Sequence, residues 1–223
     1  MNGARAVVFD FDGVLADTEG LHLAAFQDAF DARGWTLDRD VYFESYLGYD
    51  DRDLVRAYAE DQAIRLSPAD VEAILLDKAR RYDRRLASGS VLFGTAAAAV
   101  ARLGAAFRLG IASGSLRGEI LAILRANALA DAFPVIVGAD DVERSKPAPD
   151  SYSTAVDRLG VRPSDAVAIE DSHWGLVAAR AAGLRTIGIT TSYPARSLAL
   201  ADVVVASLDE VTAAVVERLL DVR

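Results

Sequence analysis

The chain contains no cysteine, which excludes disulfides and thiolate chemistry and suits a reducing compartment. It also lacks long apolar runs: charge interrupts every hydrophobic stretch, so none could cross a bilayer and no membrane partner is expected. No apolar segment with a small-residue cleavage site follows the first residues, and the expectation is a cytoplasmic protein. Basic residues are in short supply. Lys and Arg total 24 against 33 Asp and Glu, a net charge of −9 that repels nucleic-acid backbones, so no nucleic-acid partner is expected. An anionic substrate would need local help from a metal ion or a few placed cations. Internal repeats and low-complexity linkers are missing too. What the chain does have is apolar bulk. Hydrophobic residues make up 52% of 223 positions, enough for one large domain or for a core carrying a smaller insertion.

From about residue 90 onward, short β-branched runs alternate with Ala/Leu-rich stretches. Residues 6–9, 108–112, 135–137, 166–169, 186–189 and 203–205 read as strands apolar on both faces, as a covered parallel sheet requires. Helices are expected near 95–105, 116–126, 149–159, 174–182 and 208–220. The alternation predicts an α/β fold with a doubly wound, Rossmann-like parallel sheet. Residues 19–88 break it, with amphipathic helices and no convincing strand. Ser67-Pro68 is a helix start, and Val71, Ile74, Leu75, Tyr82 and Leu86 then fall on one stripe. The expected division is a core of residues 1–17 and 89–223 interrupted by a helical domain, 18–88.

Ligands of doubly wound sheets bind beyond the carboxyl ends of the strands, so the polar residues there are the ones to weigh. The first strand runs into Asp10-Phe11-Asp12-Gly13, two close carboxylates that stay ionised together only beside a cation or strong donors. Alone, the pair reads equally well as an Asx-type turn. The second strand ends in Ser113-Gly114-Ser115, a phosphate site or a plain helix cap. Arg144-Ser145-Lys146-Pro147-Ala148-Pro149-Asp150 is a stiffened loop presenting one lysine, and the next strand runs into Glu170-Asp171-Ser172, where Asp171 or Ser172 could cap the following helix. Jointly, hard oxygen ligands from two strand ends would suit Mg²⁺ together with a substrate phosphate.

In this order, residues 10–18, Ser113, residues 145–150 and Glu170-Asp171-Ser172 resemble the four signature motifs of the haloacid dehalogenase-like superfamily, over essentially the whole chain. The likeness is greatest to the branch with a helical cap after the first motif, which holds beta-phosphoglucomutases and phosphatases such as phosphoglycolate phosphatase. It implies Asp10 as nucleophile and Asp12 as general acid and base. Phosphate would be held by Ser113, Gly114, Lys146 and the backbone from Phe11 to Gly13. Mg²⁺, the implied cofactor, would be held by Asp10, the Asp12 carbonyl and Asp171, with Glu170 as outer or alternative ligand. Asp12 argues for phosphate esters, because dehalogenases and phosphonate hydrolases of the superfamily lack it.

The same resemblance implies that residues 18–88 are a cap that chooses the substrate, a small phosphorylated metabolite. His22 matches a histidine near the hinge, and Thr18 would sit at that hinge. Lys78 lies on the apolar stripe, so it either snorkels past the core or faces the cleft to hold an anion, as a lysine does in the mutases. Gly48-Tyr49-Asp50-Asp51-Arg52 resembles the loop that screens substrates, with Asp51 where the mutases have arginine. Arg117 could meet a distal phosphate. These features favour a sugar-phosphate phosphatase, with a mutase second and a catalytically silent sugar-phosphate binder third, and the family resemblance implies a monomer.

Overall fold

Ala6, Val7, Val8 and Phe9 are all buried, so strand β1 (Ala6–Phe9) lies inside a sheet covered on both faces. It is joined by β2 (Arg108–Ala112), β3 (Val135–Val137), β4 (Ala166–Glu170), β5 (Arg185–Ile189) and β6 (Val203–Val205) in the order β3-β2-β1-β4-β5-β6. Every pairing is parallel. This is the expected doubly wound sheet, with β1 at its centre. The computed structural model describes residues 4–47, 49, 51–86 and 91–221.

The chain divides into two compact units, Met1–Asp17 with Val91–Arg223, and Thr18–Ser90. The second is helical among its described residues: α1 (Glu19–Asp31), a short α2 (Arg39–Val41) running into a π-helical turn at Tyr42–Tyr46, α3 (Asp51–Asp61) and α4 (Pro68–Leu86). Ser67 starts α4 as the sequence suggests. Its hydroxyl accepts from the Asp70 amide at 3.2 Å while the Asp70 carboxylate takes the Ser67 amide at 2.8 Å, a reciprocal cap with Asp in place of Glu. The unit has its own apolar core, in which Leu23, Phe26 and Phe30 meet Tyr42, Tyr58, Val71 and Ile74.

In the sheet-bearing unit, α7 (Asp150–Leu159) and α8 (His173–Ala181) pack on the face that carries Ala6, Val8, Ala166 and Ala168. The small alanines let both helices approach the strands closely. The remaining helices are α5 (Ala96–Gly104), α6 (Arg117–Ala126) and α9 (Ala213–Asp221). The single helix expected over 208–220 is instead a 3₁₀ turn at Leu208–Glu210 followed by α9. Ser207 and Glu210 form a capping box around that turn, and the chain leaves helical geometry at Val211 (φ −81°, ψ 89°) before starting again.

Candidate active site

Strand register gathers the polar residues at one edge of the sheet. Phe9 pairs with both Ile111 and Ile169, so Asp10 leaves β1 level with the end of β2 and with Glu170 on β4. The Asp10 amide extends the ladder by one bond, to the Ile169 carbonyl at 2.9 Å. The result is a buried trio, Asp10, Glu170 and Asp171, with one carboxylate oxygen of each lying within 4.8 Å of the others.

One ammonium faces them. Lys146 Nζ donates to Asp10 Oδ1 at 2.5 Å and to Glu170 Oε1 at 2.6 Å, with 13% of its side chain exposed. The Tyr152 hydroxyl also donates to Glu170 Oε1, at 2.7 Å, and Lys146 Nζ stands 4.9 Å from the centre of that ring. Glu170 Oε2 accepts from the Ser172 amide (3.3 Å) and hydroxyl (3.0 Å). Both Glu170 oxygens are thus occupied by protein donors.

Burial pushes the Asp10 carboxyl up to about 8; Lys146 opposes this, while Glu170 and Asp12 add to it. Asp171 is held well above the usual carboxylate range by burial and then by Asp10 and Glu170, with a hydrogen bond from Ser192 and the Lys146 charge in opposition. For Lys146, burial disfavours the cation, but Asp10 and Glu170 outweigh it and hold the ammonium above its ordinary value. Three buried carboxylates against one ammonium leave a deficit of positive charge. A hard divalent cation would meet it, and the all-oxygen donor set fits one. Asp10 and Asp171 are the natural ligands, because Glu170 already has its hydrogen-bond donors.

Asp12 is separate from the trio. Its Oδ2 accepts from the Ser115 hydroxyl at 2.6 Å and the Ser113 hydroxyl at 3.2 Å, and Ser113 Oγ in turn takes the Ser115 amide at 2.9 Å. Ser113 is therefore not a helix cap. Leu116 holds the cap position of α6, with no side-chain bond. Ser172, by contrast, does cap α8, accepting the Gly175 amide at 3.0 Å.

The turn after β1 needs glycine for clearance. Gly13 has φ +78°, and a Cβ there would sit 1.9 Å from Asp171 Oδ2 and 2.7 Å from Ser192 Oγ. Its amide donates to the Ala16 carbonyl at 2.8 Å, so the expected N–H donation by Gly13 to a phosphate is corrected: that donor already closes the turn. The Phe11 side chain is buried and its carbonyl accepts from the Leu15 and Ala16 amides. Gly114 is exposed with open space where a Cβ would be, so nothing steric demands glycine there. Gly175 is the opposite case. A Cβ on it would lie 1.8 Å from Glu170 Oε1, inside the carboxylate that anchors Lys146. Gly175→Ala should destabilise the fold by about 3 kcal/mol, measurable by urea unfolding; a loss below the noise of the titration would mean that Glu170 has room to move.

Arg117 opens α6 with an exposed side chain, its amide bound to Asp140 Oδ1 at 2.8 Å. The other sequence-flagged residues lie in the helical unit. Lys78 is 2% exposed, and its Nζ donates to Asp51 Oδ1 (2.8 Å) and Oδ2 (2.6 Å). His22 Nδ1 lies 2.8 Å from the same nitrogen, and its ring stacks on Tyr82 with centroids 4.4 Å apart. Arg52 pairs with Glu72, while Gly48 lies outside the described residues. The sequence reading named Ser115 only as part of the strand end, and it missed Tyr152 and the Thr191-Ser192 pair, whose hydroxyls bond the Gly13 carbonyl and Asp171 respectively. The strand-end rule would have found Thr191 and Ser192, since they follow β5. Tyr152 gave no signal beyond that of a core aromatic.

The model of the haloacid dehalogenase-like hydrolases matches residues 7–189, which takes in Asp10, Asp12, Ser113, Lys146, Tyr152, Glu170 and Asp171 and ends just before Thr191 and Ser192. The chain belongs to that family. It is 34% identical over 196 residues to protein CbbY of Rhodobacter capsulatus, covering 85% of this chain and 86% of that protein. A phosphorylated carbohydrates phosphatase of Thermotoga maritima is 30% identical over 183 residues, or 82% of this chain and 83% of the other. Among solved structures, a CbbY mutant from Rhodobacter sphaeroides in complex with xylulose-(1,5)bisphosphate superposes with a TM-score of 0.82 at 33% identity, covering 93% and 96% of the two chains. No described helix of this hydrolase is long and apolar enough to cross a membrane.

Proposed function

We propose that the chain is a Mg²⁺-dependent phosphatase of a small sugar phosphate, working through an aspartyl-phosphate on Asp10, in the cytoplasm and as a monomer. One observation carries this reading. Asp10 stands at the end of the central strand beside Lys146 and Asp171, and Asp12 is held apart from them by Ser113 and Ser115. That separation is what a nucleophile and a proton carrier need: one works at the phosphorus, the other at the departing oxygen.

An Asp10 carboxylate oxygen attacks phosphorus, forming an O–P bond as the ester P–O bond breaks. The departing alkoxide takes its proton from Asp12. In the second half, Asp12 withdraws a proton from water, whose oxygen attacks the phosphorus and frees inorganic phosphate and the Asp10 carboxylate. Lys146 neutralises phosphoryl oxygens in both transfers, and Ser113 donates to them. Mg²⁺ would be held by Asp10, the Asp12 carbonyl and Asp171, with Glu170 outside them fixing Lys146, and when bound it supplies charge neutralisation between phosphate and carboxylates. Residues 18–88 serve as the cap that screens the substrate and excludes water. A mutase is less well supported, because Asp51 stands where that chemistry's cap loop carries an arginine.

Purified protein should release inorganic phosphate from members of a sugar-phosphate panel with Mg²⁺ present, and at least about 100-fold more slowly after EDTA treatment. Equal release in EDTA would remove the metal from the reading; isomerisation without release would replace the phosphatase by a mutase.

A further inference from the structure

The loop that holds Asp12 is fastened to its neighbours at several points. The Ser113 amide donates to the Val137 carbonyl at 3.0 Å, and the Ser115 amide donates to Ser113 Oγ at 2.9 Å. The Ser115 carbonyl accepts the Ala139 amide at 2.9 Å, so the backbone on either side of its hydroxyl is tied down. Two residues on, the Arg117 amide donates to Asp140 Oδ1 at 2.8 Å. Gly138 lets the turn after β3 come this close, since a Cβ on it would lie 2.4 Å from the Arg117 nitrogen. The two hydroxyls on the loop are not equivalent. Ser115 Oγ stands 2.6 Å from Asp12 Oδ2 and Ser113 Oγ stands 3.2 Å away, and each has a single proton to donate.

We propose that Ser115 is the positioning residue of the proton carrier, keeping the Asp12 carboxyl aligned through both transfers while Ser113 serves the phosphate. This rests on the phosphatase reading above, in which Ser113 donates to a phosphoryl oxygen. One proton cannot point to that oxygen and to Asp12 together, so arrival of the phosphate removes the longer of the two hydroxyl bonds to Asp12. The shorter one stays, on a loop whose backbone is already fixed. Because Oδ2 accepts that bond, Oδ1 is the oxygen that gives the proton to the departing alkoxide and later takes one from water. A proton carrier contributes only within hydrogen-bond reach of the atom it serves, so a carboxyl left to swing costs rate and not affinity.

The test sets two kinds of ester against each other: a sugar phosphate, whose departing alkoxide needs a proton, and p-nitrophenyl phosphate, whose nitrophenolate leaves without one. Ser115→Ala should lower kcat for the best sugar phosphate by about 10-fold or more, with KM changed by less than about 3-fold. With p-nitrophenyl phosphate, rapid mixing should show a first turnover slowed by less than about 3-fold. A burst of nitrophenolate equal to the enzyme sites should then give way to a slow steady state, because Asp12 must still activate the water that frees Asp10. Ser115→Thr returns the hydroxyl and should recover most of the sugar-phosphate rate. Melting temperatures of both variants are measured alongside. A packing role would slow the first turnover of both esters alike, and a phosphate contact would raise KM for both. Either result, an unchanged Ser115→Ala, or a Ser115→Thr that melts like wild type without regaining rate overturns the inference and leaves the phosphatase reading standing. Wild-type protein that releases phosphate from no ester overturns both.

Discussion

Asp10→Asn should hydrolyse its best phosphate ester at least about 10⁴-fold more slowly than the wild-type protein, since an amide oxygen is a poor nucleophile and cannot carry the covalent intermediate. The substitution should also report on the electrostatics, without any turnover being measured. In the metal-free protein the Asp10 carboxyl is pushed from 3.8 to about 8, so between those values the folded state holds a proton that the unfolded chain has shed. Its contribution to stability therefore falls as pH rises from about 4 to 8 and is flat beyond. Asparagine has nothing to ionise. In EDTA, Asp10→Asn should melt above the wild type at pH 8 and alongside it near pH 4, and it should lose most of the stabilisation that Mg²⁺ gives the wild type at pH 8. A variant that turned over at a tenth of the normal rate, or that responded to Mg²⁺ as the wild type does, would dismiss Asp10 as both nucleophile and ligand.

Lys146→Met should be the most destabilising change at the site. It removes the ammonium shared by Asp10 and Glu170 and leaves three buried carboxylates with no counter-charge, a loss of roughly 3–5 kcal/mol in metal-free buffer. Because Met fills similar space, packing changes little. Saturating Mg²⁺ should recover part of the lost stability, since the cation relieves the same crowding, but turnover should stay about 10²–10³-fold low for want of a donor to the phosphoryl oxygens. Urea unfolding with and without Mg²⁺ separates the two effects; an unfolding free energy equal to wild type in EDTA would mean that the carboxylates simply take up protons at no cost.

The sheet was legible because its inner strands are buried on both faces, as Ala6–Phe9 and Val135–Val137 are throughout, although Val204 in the edge strand β6 is exposed. Asp10, Ser113 and Asp171 were legible for a related reason, since each stands one residue beyond such a run, whereas Lys146 was picked out by the prolines that stiffen its loop. Partners were another matter. Nothing in the spacing of Lys78 announces that Asp51, on a different helix, will take two of its donors, a partner that neither the snorkelling nor the anion-holding alternative included. Tyr152 is six positions beyond Lys146, and its hydroxyl reaches Glu170 only because α7 packs on the sheet face behind that residue. The segment 208–220 went wrong through a competition that hydropathy does not register: the Ser207–Glu210 box closes a short turn, and the helix must begin afresh.

The aromatic-rich core of Thr18–Ser90 shares no side chain with the cluster that packs α7 and α8 on the sheet. Substitutions in one interior can therefore be absorbed without repacking the other. On the cap reading proposed above, drift among residues 18–88 would change which metabolite is accepted while the sequence of the bond-breaking strand ends stays constant.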